Sequence, residues 1–204
     1  EDGNFKINNT TWALDTTKTV KDELVSQIAV IGENLKIRRF QKVTAPLVVS
    51  YTHGGGRIGV LVEADTDVKN DAVKEALTNV AMQIAALSPK YVSTADVSEE
   101  YKAHEKEILM AQIQNDPKMA GKPEKLIEGA VNGRLNKELK EVCLLEQVYV
   151  KAEDGKQTVA QYLAQVAKEN NANLTVKGFV RFETGEGIEK KVEDFAAEVA
   201  AQLG

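Results

Sequence analysis

The 204-residue sequence is poor in the side chains from which most site chemistry is built. It has one cysteine, Cys143, and two histidines, His53 and His104. A single cysteine excludes an internal disulfide and any multi-cysteine zinc site, and two histidines make a histidine-based metal site a poor reading. The same scarcity suits a reducing, cytoplasmic setting. Aromatic residues are only 5% of the chain, so a core must come mostly from Ala, Val, Leu and Ile. The longest apolar runs, such as 45–49 and 58–62, fall far short of the roughly 20 residues that span a bilayer. The opening Glu1-Asp2-Gly3-Asn4 is polar and acidic, unlike a signal peptide. It also has no initiator Met, and reads as if cut from a longer protein. The N-x-[ST] matches at Asn9 and Asn173 therefore mean little.

What is present is ordinary globular material: 43% apolar and 28% charged residues. The length fits one large domain or two small ones. A net charge of −5 argues against a chain that wraps nucleic-acid phosphates.

Periodicity predicts a helix over 17–31, with Val20, Leu24, Ile28 and Ile31 at helical spacing and Gly32 as its C-terminal stop. A strand-like stretch over 37–43 follows and Pro46 breaks it. Residues 47–51 and 58–62 are β-rich runs joined by a glycine-rich loop over 52–56. The next helix carries Val73, Leu77, Val80, Ile84 and Leu87 on one face, with Ala72, Ala76, Ala81 and Ala85 on its flank, and Ser88-Pro89 ends it. Residues 97–114 and 123–141 form a helical pair around a break holding Asp116, Pro117, Gly121 and Pro123. Tyr101, Ile108, Leu109 and Ile113 face one way on the first arm; Ile127, Val131, Leu135 and Leu139 do so on the second. Beyond it, 148–150 reads as a short strand, Thr158 and Gln161 as a capping box opening a helix to about 168, and 176–182 as a strand. Gly185-Glu186-Gly187 is a turn, and Val192, Phe195, Ala196, Val199 and Leu203 mark a terminal amphipathic helix. The expected class is α+β: antiparallel sheets covered by helices, with an inserted antiparallel helical hairpin (coiled coil).

Gly54-Gly55-Gly56-Arg57-Ile58-Gly59 formally fits G-x-G-x-x-G. A dinucleotide site needs a helix to start at that loop, so that its N-terminus can hold the pyrophosphate; here a strand continues instead. Nothing downstream resembles the H-R-D or D-F-G of a kinase, and no Gly-Lys-Ser/Thr of a Walker A loop occurs. A hairpin turn with left-handed glycines is the simpler reading, with His53 either solvated or presented as a contact. Cys143 precedes Leu144-Leu145 and reads as a buried, inert thiol. Carboxylates such as Glu99, Glu100, Glu105 and Glu107 fall on charge-mixed helical faces. The small basic clusters Lys36-Ile37-Arg38-Arg39 and Lys190-Lys191 lack the aromatics of a single-strand binder. No catalytic set emerges.

Six segments in order together resemble the elongation factor Ts family. They are Ile31-Gly32-Glu33-Asn34 with Ile37-Arg38-Arg39; Tyr51-x-His53 running through Val62; Gly121-Lys122-Pro123-Glu124; Gly133-Arg134-Leu135-Asn136-Lys137; Arg181-Phe182-Glu183-x-Gly185-Glu186-Gly187 through Lys190; and Asp194-Phe195-Ala196-Ala197-Glu198-Val199-Ala200. The resemblance covers about residue 20 to the end. It implies no catalytic residue and no cofactor; the acidic balance and short apolar runs add the expectation of no direct nucleic-acid contact and no membrane. The implied activity is binding of elongation factor Tu and promotion of its GDP release. The implied organisation is a remnant of an N-terminal core subdomain (1–44), a C-terminal core subdomain (45–96 and 142–204) and an inserted coiled coil (97–141); as a separate hypothesis, the coiled coil mediates self-association or contacts other translation proteins. Carried over residue by residue, the partner contacts fall on Ile31, Gly32 and Asn34 at the helix corner, on His53 with Gly54 and Arg57 at the hairpin, and on Val150 after the coiled coil. The family often has Met after that valine, where Lys151 stands here. The family's N-terminal helical module and Thr-Asp-Phe motif are not found; Asp194-Phe195 sits in the terminal helix. Two other readings stay open: a fragment that binds elongation factor Tu without exchange, and a nucleotide-using enzyme built on the 54–59 loop.

Overall fold

The computed structural model describes residues 7–119 and 121–188. The expected terminal helix around Val192–Leu203 lies outside them. The chain divides into two compact units, Glu1–Val43 and Thr44–Gly204.

In the first unit, β1 (Thr11–Trp12) pairs antiparallel with β2 (Asp15–Thr19), and α1 (Val20–Ile31) follows directly. The helix begins three residues later than periodicity suggests, because Thr19 closes a capping box. Thr19 Oγ1 accepts the Asp22 N–H at 3.2 Å, and the Asp22 carboxylate accepts the Thr19 N–H at 2.8 Å. Thr19 is thereby the last strand residue and the helix cap at once. The strand expected over 37–43 does not form; the stretch carries neither helix nor strand. Its β-branched and aromatic residues suit a strand, but such preference reflects packing on a pleated surface, and no neighbouring strand pairs with it among the described residues.

The second unit is built on a three-stranded antiparallel sheet in the order β3 (Leu47–His53), β4 (Ile58–Thr66), β5 (Leu174–Glu183). On β4, Val60, Val62, Ala64 and Thr66 are buried and alternate with more open Leu61, Glu63 and Asp65. That period of two turns one face inward. Helix α2 (Asp71–Leu87) covers this face. Asn70 caps it, its Oδ1 accepting the Val73 N–H at 2.9 Å. Val73, Leu77, Val80, Ala81 and Ile84 are all 0% exposed. Leu87, expected on the same face, is instead 48% exposed. The helix ends there, with Ser88 in the left-handed conformation (φ 49°), so Leu87 falls beyond the sheet's cover. Helix α5 (Val159–Glu169) adds Val159 and Leu163 to the same core. It opens on the expected Thr158–Gln161 capping box.

Helices α3 (Glu99–Gln114) and α4 (Glu124–Val142) share a second core of Val97, Leu109, Ile113, Val131, Leu135, Leu139 and Cys143. Ile108, expected in it, is 38% exposed; Leu109, one residue on, takes the inward position four residues before Ile113. Pro123 is the N-cap of α4 rather than a residue of its first turn. The short strand expected over 148–150 is reduced to one bridge, Val148 to Thr158.

A core position and an exposed one make a contrasting prediction. Leu77→Ala should lower the unfolding free energy by about 3 kcal/mol, through lost transfer energy and the cavity left behind. Leu126→Ala, at a site 57% exposed, should change it by less than about 0.5 kcal/mol. Urea titrations followed by circular dichroism would measure both; equal losses would refute this placement of the core.

Candidate partner-binding site

The hairpin of β3 and β4 is paired in continuous register from Leu47–Ala64 to His53–Ile58. Its connection is a tight turn, Gly54–Gly56, with φ of 60°, 66° and 98°. Three successive left-handed residues would strain any side chain with a Cβ, by roughly 1–2 kcal/mol each. The limit is conformational and not spatial: a Cβ on Gly55 or Gly56 would meet nothing within 4 Å. His53, Gly54 and Arg57 are exposed at this tip. The Arg57 carbonyl accepts the Thr184 N–H at 2.9 Å, tying the turn to the end of β5.

His53 has a neighbour that the sequence reading passed over. The Tyr51 hydroxyl lies 2.9 Å from His53 Nδ1, and the two rings are 5.9 Å apart. Residues two apart on a strand share a face, so the spacing itself was the available signal. With Nδ1 engaged, Nε2 is the ring nitrogen left for any further hydrogen bond.

Ile31, Gly32 and Asn34 stand together in the other unit. Gly32 caps α1 in the left-handed conformation (φ 79°), its N–H donating to the Ile28 carbonyl at 2.9 Å. Ile31 is 54% and Val30 81% exposed, so this helix end shows apolar side chains to solvent. Val150 lies on a further segment of the second unit, 49% exposed, its N–H donating to the Gln83 side-chain oxygen at 2.8 Å. Sequence reading did not single out Gln83.

Among the described residues the candidate positions are exposed backbone turns and ends. Strand β4, not a helix, follows the glycine turn, so the helix N-terminus that would hold a pyrophosphate is missing from this loop. Burial pushes the Cys143 thiol up to about 11, with Glu146 and Asp96 adding to the effect, so at neutral pH it is protonated and a weak nucleophile. No cluster of three or more His, Cys, Asp or Glu suited to a metal occurs among the described residues. No described helix is long and apolar enough to cross a membrane. A cleft of about 870 Å³ between α2, α5 and the 149–157 loop mixes Glu75, Asp154 and Glu169 with Lys151 and Lys156. Asp154 is occupied there in accepting the Lys156 and Gln157 N–H groups, which hold its carboxyl below the usual range.

The turn yields a test. Gly55→Ala should destabilise the chain by about 1 kcal/mol, because φ is positive there. Gly59→Ala also has open space around its Cβ but ordinary backbone, and should be neutral or slightly stabilising. The order of the two urea midpoints decides it; a neutral Gly55→Ala would mean that the turn relaxes freely.

Comparison with known proteins places the chain among relatives. The family model described as Elongation factor TS matches residues 5–186. The chain is 52% identical to Elongation factor Ts of Clostridioides difficile (strain 630), over 91% of this chain and 59% of that protein. It is 48% identical to Elongation factor Ts of Clostridium botulinum (strain Eklund 17B / Type B), over 93% of this chain and 61% of that protein. For Elongation factor Ts of Clostridium perfringens (strain 13 / Type A) the identity is also 48%, over 94% and 62%. The chain thus spans about three-fifths of the length of the curated relatives it matches. With a model match over most of its length and identities near one half, this chain belongs to the elongation factor Ts family.

Proposed function

We propose that this chain binds elongation factor Tu and promotes release of its GDP, as the interaction core of a translation elongation factor in the cytoplasm. Family membership is the observation that supports the reading most directly. The proposed contacts are Ile31, Gly32 and Asn34 at the α1 corner, His53, Gly54 and Arg57 at the hairpin tip, and Val150. No residue is assigned a covalent step and no cofactor is assigned. Residues 1–44 are proposed as part of one core subdomain and 45–96 with 142–204 as another. The α3–α4 pair is proposed as an inserted coiled coil that mediates self-association. Sedimentation velocity on a chain lacking 97–141 checks that role, and an unchanged oligomeric state would remove it.

An exchange factor works by differential binding. Whatever factor it takes from GDP affinity, GDP takes from its own. A ten-thousand-fold effect needs about 5.5 kcal/mol of difference between the nucleotide-free and nucleotide-bound partner. Contacts that shift with the surface they meet lose that difference, whereas a turn of left-handed glycines and a capped helix end hold their positions.

Calorimetric titration into nucleotide-free elongation factor Tu, repeated with saturating GDP, is the test. The expected result is tight binding that GDP weakens, and His53→Ala should weaken it about tenfold, roughly 1.4 kcal/mol, with no change in melting temperature. Binding that GDP leaves unaltered would favour the second reading, docking without exchange. That reading draws on the chain's coverage of 59–62% of its relatives. Absence of binding in both titrations would overturn the proposal.

A further inference from the structure

Helix α2 carries a polar side chain that its packing does not call for. Gln83 is 0% exposed and sits beside Ile84 in the core. A Leu or Met there would fill similar volume without burying an amide, which is destabilising unless its hydrogen bonds are met. Here they are met, and by one short segment. Gln83 Nε2 donates to the Val148 carbonyl at 3.0 Å and to Gln147 Oε1 at 3.1 Å, while Gln83 Oε1 accepts the Val150 N–H at 2.8 Å.

That pattern has a recognisable form. A group that donates to the carbonyl before Tyr149 and accepts from the N–H after it bonds that residue as a neighbouring parallel strand would. The side-chain amide of Gln83 stands in for a strand along one edge of 148–150. The other edge is held too: the Tyr149 N–H donates to the Gln157 carbonyl at 2.8 Å, and Val148 bridges Thr158. The Tyr149 ring is turned inward, 5% exposed, and stacks on Tyr162 at 4.1 Å. Gln147 Nε2 donates in turn to the Glu141 carbonyl at 2.7 Å, fastening the segment to the end of α4. Between these ties Val148 and Val150 alternate with the buried tyrosine, each 49% exposed. A three-residue stretch without a true strand beside it is fixed on both edges and beneath.

We infer that Gln83 is a positioning residue for the partner contact: its buried amide fixes the backbone from which Val150 meets elongation factor Tu. The inference rests on the reading of Val150 as a contact. It adds a residue that never touches the partner and acts through another. A core-filling role alone would predict that any residue of similar volume serves; the hydrogen-bond pattern predicts that only a carboxamide of this length does.

The test compares Gln83→Leu, Val150→Ala and the double variant in the 204-residue chain. Amide hydrogen exchange by NMR reads the clamp directly. In Gln83→Leu the Val150 amide should exchange at least tenfold faster, while the amides of Val62 and Leu77 keep their rates. Affinity for nucleotide-free elongation factor Tu should fall about tenfold in Gln83→Leu, and adding Gln83→Leu to Val150→Ala should bring no further loss. A Val150 exchange rate that does not change overturns the inference, as does a Gln83→Leu loss of affinity that is as large with Val150→Ala as without it. Exchange that quickens at Val62 and Leu77 as well marks general destabilisation and also overturns it. Should the unaltered chain fail to bind at all, the partner reading falls and the positioning role with it. Unchanged exchange with binding intact removes only the positioning role.

Discussion

The burial of one face of α2 on the β3–β4–β5 sheet is the constraint from which the second unit follows. Val73, Leu77, Val80 and Ile84 on the helix meet Val60, Val62 and Ala64 on the central strand, all essentially removed from water. Each of these Val, Leu and Ile side chains contributes about 1.5–3 kcal/mol relative to exposure. Because strand side chains alternate, a slip of one residue in β4 would turn Val60, Val62 and Ala64 outward. The packing therefore fixes the register, and the register fixes where the hairpin ends. His53 and Arg57 flank the turn because Val62 and Val60 are inside.

The same helix governs the 147–150 segment by a polar route. Its inward face holds Gln83 one position before Ile84, so the apolar packing that seats the helix also aims the amide. Hydrogen bonds of this kind contribute modestly when made, and their loss leaves buried N–H and C=O groups unsatisfied. Apolar burial thus supplies the stability and the buried amide supplies the direction. With aromatics at only 5% of the chain, small aliphatic side chains leave room for an amide to reach a backbone through the core.

Much of this architecture is legible in the sequence where a local rule suffices. The α2 face, the Thr158–Gln161 capping box, the left-handed stop at Gly32 and the glycine turn all follow from spacing or from one residue's conformational freedom. Rules fail where the outcome depends on a distant neighbour. Residues 37–43 have strand-forming side chains, but strand formation needs a partner edge that composition does not report. Leu87 fits the helical stripe, yet the helix stops before the sheet covers it. Tyr51 lies two residues from His53 and was available from strand periodicity. Gln83 had no signal of its own: a glutamine within an apolar stripe looks like a surface residue until the backbone 65 residues on is placed against it.

The devices that mark the candidate contacts are conformational and not reactive. Gly32 ends a helix through a backbone hydrogen bond, Gly54–Gly56 close a turn through positive φ, and Gln83 replaces a strand edge with a side chain. None needs a shifted ionisation, a metal or a nucleophile. That economy suits the exchange role proposed above, because the energy available for displacing a ligand is the difference between two bound states and not the sum of the contacts. A flexible contact follows its surface into both states and contributes equally to each, which shifts nothing however tightly it binds. A stiff contact fits one state and misfits the other. Under the proposed role the site would reside in backbone geometry, and the glycines at 32 and 54–56 are where this sequence fixes it.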